Sequence, residues 1–161
     1  MLSDAFPGIR GIYWGEDKFI ILGNHSKGLH RIPVSGGPAI QLTQLRDEDK
    51  GHLNPQLLPG GEIILYCAAK KLQSTAESDI IIQKLPDGDP EVLLQGLNPK
   101  FVPTQAHDFS GFLVYVNAES TLRAVPLDLK ERRLVGQSFP VEPEILTQYD
   151  MHWSTAHYDI S

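Results

Sequence analysis

"GLHRIPVSGGPAIQLT", residues 28–43, holds two short apolar–polar alternations separated by a break. Leu29 to Val34 alternates with the period of a strand. Ser35, Gly36 and Gly37 interrupt it, and Ile40 and Leu42 resume it. This is the pattern of a β-hairpin. Two further stretches repeat it: "DIIIQKLPDGDPEVLLQ" from Asp79 and "TLRAVPLDLKERRLVGQ" from Thr121. Leu29, Ile80 and Leu122 correspond, as do Val34, Leu85 and Leu127 five positions on.

Each hairpin follows a strong apolar segment, "KFIILGN", "EIILYCA" or "GFLVYVN". Each of those follows a turn, "WGED", "LPGG" or "DFSG", and before the turn stands "GIRGIY", "HLNPQL" or "NPKFVP". The unit is therefore four strands, written three times, with Ile20, Ile64 and Val114 spaced 44 and 50 residues apart. Four-stranded units at that period predict an all-β fold of the β-propeller type. A sheet with two apolar faces cannot bury both alone, and stacking neighbours covers them. A β-sandwich is the competing architecture, but it requires turns every 8 to 12 residues without a four-strand period. The expected units are residues 8–46, 51–96 and 97–147, with an extra strand at 155–161. No stretch carries a helical period, and Ala68 to Ser78 reads as a long polar loop.

Composition narrows the function. The chain has 161 residues, 41% hydrophobic and 21% charged, with a net charge of −6. It lacks the basic stripe that a nucleic-acid binder needs. Its densest basic spot, Lys130 to Arg133, contains a glutamate and reads as a solvated turn. No apolar run approaches a membrane span, and no signal peptide is visible. That predicts a cytoplasmic location, or an extracytoplasmic one if the chain is a piece of a larger sensor. Cys67, the single cysteine, has no partner for an internal disulfide and reads as a buried, inert thiol.

The phrases "GLHRIPVSGGPAIQLT", "HLNPQLLPGGEIILY", "DIIIQKL" and "TLRAVPLDLKERRLVGQSFPVEP" together resemble the TolB-like (WD40-like) six-bladed β-propellers, such as those fused to bacterial serine/threonine protein kinases. The resemblance runs from about Ile9 to Ser161. It departs at the turns, where Glu16-Asp17, Gly60-Gly61 and Ser110-Gly111 replace the usual Asp-Gly. It also departs at His52-Leu53-Asn54-Pro55-Gln56, where the family often has His-Arg-Trp-Pro-Gln. The resemblance implies about three blades, half of a six-bladed ring. An open half-ring exposes apolar faces and strand edges, so a homodimer is expected to close it. In such a ring the head strand Gly8 to Trp14 and the tail strand Thr155 to Ser161 compete for one place. Loop-closure entropy favours the head.

No catalytic motif stands out. There is no G-x-S-x-G, and Ser26 in "GNHSKG" lies in a turn. His25, His30, His52, His107, His152 and His157 form neither H-x-H nor H-E-x-x-H, so no metal ligand set and no cofactor is expected. Innermost strands would line a channel, and its polar candidates are Arg10, Tyr13, His52, Asn54, Gln56 and Lys100. Trp14 is expected to anchor packing and Trp153 to sit near an inter-chain seam. The expected function is a non-enzymatic binding module for another protein or a small ligand at the channel mouth. The alternative is a propeller-type hydrolase or lactonase using axial polar or metal ligands.

Overall fold

In the computed structural model the described residues are 7–15, 18–70, 78–105, 108–143, 147–150 and 153–156, the last two stretches as backbone only. All regular elements among them are strands, and all pairings are antiparallel.

The first meander is β1 (Ile9–Trp14), β2 (Phe19–Asn24), β3 (His30–Pro33) and β4 (Ile40–Gln41). The second is β5 (Asp49–Leu57), β6 (Ile63–Lys70), β7 (Asp79–Lys84) and β8 (Pro90–Gln95). The third is β9 (Leu97–Pro103), β10 (Gly111–Val116), β11 (Leu122–Asp128) and β12 (Arg133–Leu134). A further strand, β13 (Phe139–Glu142), also pairs with β11, and β14 (Thr147–Asp150) pairs with β15 (Trp153–Ala156). The first two meanders join into one sheet only through the Asn24–His52 bridge between β2 and β5.

The meanders stack face to face, and alternation explains how. In β6, Ile64, Tyr66 and Ala68 point one way and meet Ile21 and Leu29 of the first meander. Leu65 points the other way, with its cross-strand partner Ile82, and meets Phe101, Leu113 and Val125 of the third. A strand covered on both faces needs no polar alternation, so "IILYCAA" and "DIII" read as continuous apolar runs. Each fully buried aliphatic side chain contributes roughly 1.5–3 kcal/mol. We call the face toward the preceding meander the front and the other the back.

Register refines the repeat. Trp14 pairs with Ile20, Leu57 with Ile64 and Phe101 with Leu113. Their hairpin partners are Ile32, Gln83 and Val125, each three residues beyond Leu29, Ile80 and Leu122. Leu113, not Val114, is therefore the equivalent of Ile64, because a bulge opposite β9 absorbs one residue.

Two other expectations are corrected. Ala68 to Lys70 continue β6 and do not belong to a loop, since Asp49 and Gly51 of β5 pair with Lys70 and Ala69. Residues 71–77 lie outside the described residues. Trp14 does not anchor packing within the chain: it is 72% exposed, because the front of the first meander faces no other meander among the described residues. Glu16 and Asp17 of the first turn lie outside the described residues, as does the side chain of Trp153. Of the expected strand at 155–161, Thr155 and Ala156 fall in β15, and 157–161 are outside the described residues.

Candidate functional site

The starting strands of the three meanders share a local device. Each carries one residue with left-handed backbone: Gly11 at φ 89°, Asn54 at φ 49° and Asn98 at φ 47°. Glycine and asparagine are the residues that tolerate this conformation best. Each sits in a register shift, between Ile9 and Ile12, between Leu53 and Gln56, and between Leu97 and Lys100. In the second and third meanders the sequence around it repeats as Leu-Asn-Pro: "LNPQ" at 53–56 and "LNPK" at 97–100. The bulges bring the strands together. A Cβ on Gly11 would lie 2.7 Å from the Asn54 Cα, so only glycine permits that approach. The Asn54 amide donates to the Asn98 Oδ1.

Two residues past each left-handed position stand Tyr13, Gln56 and Lys100. All three line one open cleft of about 530 Å³, with Asn54 and Asn98 beside them and Pro55, Pro99, Phe101 and Pro103 among its apolar lining. Gln56 is committed to structure. Its Nε2 donates to the Phe101 carbonyl (3.2 Å) and its Oε1 accepts from the Phe101 N–H (2.7 Å). This side chain imitates a strand rung between β5 and β9. The lining holds one charged side chain, Lys100, and no carboxylate.

The structure thus brings Tyr13, Asn54, Gln56 and Lys100 to one place. Arg10 does not line that cleft; it is exposed on β1. His52 does not reach it either. On a regular strand His52, Asn54 and Gln56 would share a face, but the bulge at Asn54 breaks the alternation, and His52 turns into the interior. Asn98 and Pro99 complete the cleft without having been singled out; their signal was the second copy of Leu-Asn-Pro.

His52 belongs to a buried polar chain at the junction of the first two meanders. The Leu29 N–H donates to Thr43 Oγ1 (2.8 Å), and Thr43 Oγ1 lies 2.7 Å from His52 Nδ1. His52 Nε2 lies 3.1 Å from Asp49 Oδ2. A carboxylate at Nε2 demands a proton there, so in the neutral ring Nδ1 accepts from the Thr43 hydroxyl. Arg46 clamps Asp49 with two bonds, Nε to Oδ2 (2.9 Å) and Nη2 to Oδ1 (2.8 Å), and reaches Asp79 (2.8 Å), which also binds Lys70 Nζ (2.8 Å). Burial pushes the Asp49 carboxyl up, but hydrogen bonds from His52 and Arg46 outweigh it and hold the group below the usual carboxylate range.

Thr43, His52 and Asp49 are 2%, 1% and 0% exposed. The hydroxyl–imidazole–carboxylate series has the composition of a nucleophilic triad, yet no substrate reaches it. Its chemistry is to satisfy buried groups and hold the 43–52 segment against β3, β6 and β7.

Burial pushes the Cys67 thiol up to about 12, against a smaller opposing effect of a hydrogen bond with Ser78; this is the inert thiol expected from its apolar run. Among the described residues no group of three or more His, Cys, Asp or Glu side chains is placed to hold a metal ion. His107, His152 and His157 lie outside the described residues. No helix among the described residues is long and apolar enough to cross a membrane. Neither a protein-family model nor a curated protein matches the chain.

Proposed function

We propose that the three stacked meanders are blades of a β-propeller of the TolB-like kind, and that the chain is a non-enzymatic binding module whose ligand sits in the cleft where the blades' innermost strands meet. One observation carries this reading: three strands at equivalent repeat positions, each bulged at a left-handed residue, contribute Tyr13, Gln56 and Lys100 to one cleft. Its volume lies in the range of small-molecule and peptide sites. Its lining, a few polar groups on an apolar proline-rich floor, suits recognition. The one hydroxyl–imidazole–carboxylate series lies elsewhere and is closed to substrate, which favours binding over hydrolysis.

The test is a panel of short blocked peptides and small carboxylates at millimolar concentration, followed in ¹H–¹⁵N correlation spectra. The reading expects perturbed amides to cluster at Gly11 to Tyr13, Asn54, Gln56, Asn98 and Lys100, and Lys100→Met to weaken the carboxylate response. Perturbations centred on Thr43 to His52, or none across the panel, would overturn it.

A further inference from the structure

The repeat assigns a role to an exposed tryptophan. Trp14, Leu57 and Phe101 are equivalent: each lies three residues past the left-handed position and pairs with Ile20, Ile64 or Leu113. All three point to the front. Leu57 packs into the contact with the first meander, and Phe101 is buried in the contact with the second. Trp14 alone is exposed, and Ile12, two residues before it on the same face, is 62% exposed. The first meander therefore presents a complete front face with nothing seated on it among the described residues.

The same chain carries the complementary surface. The back of the third meander is apolar, built from Leu97, Val114, Val116, Leu122 and Ala124. Phe139 of β13 pairs with Ala124 on that face, stands edge-on to Phe112 and is half exposed. Front and back are the two surfaces that already meet twice within the chain.

We propose that the front of the first meander docks against the back of the third meander in a second copy of this chain, with Trp14 filling the place that Leu57 and Phe101 fill internally. A twofold axis makes this contact twice and hides both open ends, which matches the commonest symmetry of homo-oligomers. An interface made this way is apolar and of the obligate kind. The proposal rests on the stacking rule and not on the ligand cleft, so the two stand or fall separately.

The experiment is molar mass by light scattering on the 161-residue chain at 10–100 µM, with Trp14→Asp and Phe139→Asp variants. Both positions are exposed enough that far-ultraviolet circular dichroism should not change. Wild type should show twice the chain mass and each variant the mass of one chain. An equimolar mixture of the two variants should again form pairs, because a Trp14→Asp chain keeps its back and a Phe139→Asp chain keeps its front. A monomeric wild type, a Trp14→Asp dimer, or a mixture that stays monomeric would each overturn the proposal.

Discussion

Replacing Leu65 by alanine probes the contact on which the stacking depends. Leu65 is fully buried in the mid-strand of β6, among Leu58, Ile80, Ile82, Phe101 and Leu113. The substitution removes three carbons, worth about 0.8 kcal/mol each in transfer free energy, or about 2.4 kcal/mol. A cavity adds to this when the walls cannot close, and measured Leu→Ala losses run from about 2 to 5 kcal/mol. Here the walls are strands of two facing meanders. Those nearest Leu65, β5 and β7, are hydrogen-bonded to β6 on both sides. Collapse is limited, so the expected loss is about 3–4 kcal/mol. The assay is reversible urea unfolding at fixed protein concentration, comparing midpoints at an unchanged m-value. Val92→Ala on β8, half exposed, is the control and should stay within about 0.5 kcal/mol. A Leu65→Ala loss below about 1 kcal/mol would show that the second and third meanders do not pack as described.

Asp49→Asn should destabilise by about 3 kcal/mol at neutral pH, because Arg46 and His52 lose their charged partner in a buried setting. The native carboxyl titrates below its unfolded value of about 3.9, so its contribution is full above that value and disappears as pH falls through the lower native one. Urea midpoints of wild type and variant should therefore converge below about pH 4; a constant gap down to pH 2 would refute the assignment. Cys67 should react with a disulfide reagent at pH 8 only as fast as the protein opens. Its raised native value makes the fold lose stability as pH rises from about 8.5 towards 12, and rapid stoichiometric labelling of the folded protein would contradict its burial. Gly51→Ala should lower the yield of folded protein, since a Cβ there would overlap the backbone of Asn24 and His25; normal stability would mean β5 does not approach β2 so closely.

The strands were legible because two local signals agreed. Period-two alternation marked the hairpins, and Gly- and Pro-rich breaks separated them. Central strands were legible for the opposite reason: Ile63 to Ala69 and Ile80 to Ile82 lack alternation, as strands covered on both faces must. The end of β6 was not. Ala68 to Lys70 carry little apolar signal, and their strand character comes from pairing with Asp49 and Gly51. Four of six candidate site residues share a cleft because ordering the repeat correctly already aligns Tyr13, Gln56 and Lys100. His52 and Arg10 were misplaced by counting every second residue across a bulge, which alternation alone does not reveal. The chain from Thr43 to Lys70 through His52, Asp49, Arg46 and Asp79 left no mark in the sequence, since its members are far apart and of ordinary types.

The central claim is that the starting strands of the meanders converge on one cleft, and nuclear Overhauser effects test it most directly. The account predicts a cross-peak between the Gly11 and Asn54 backbone protons, joining β1 to β5. It also predicts contacts from the Gln56 side-chain amide to the Phe101 backbone, joining β5 to β9. Both should accompany the strand-to-strand peaks within each meander. Full peaks within the meanders, with none between β1, β5 and β9, would contradict it.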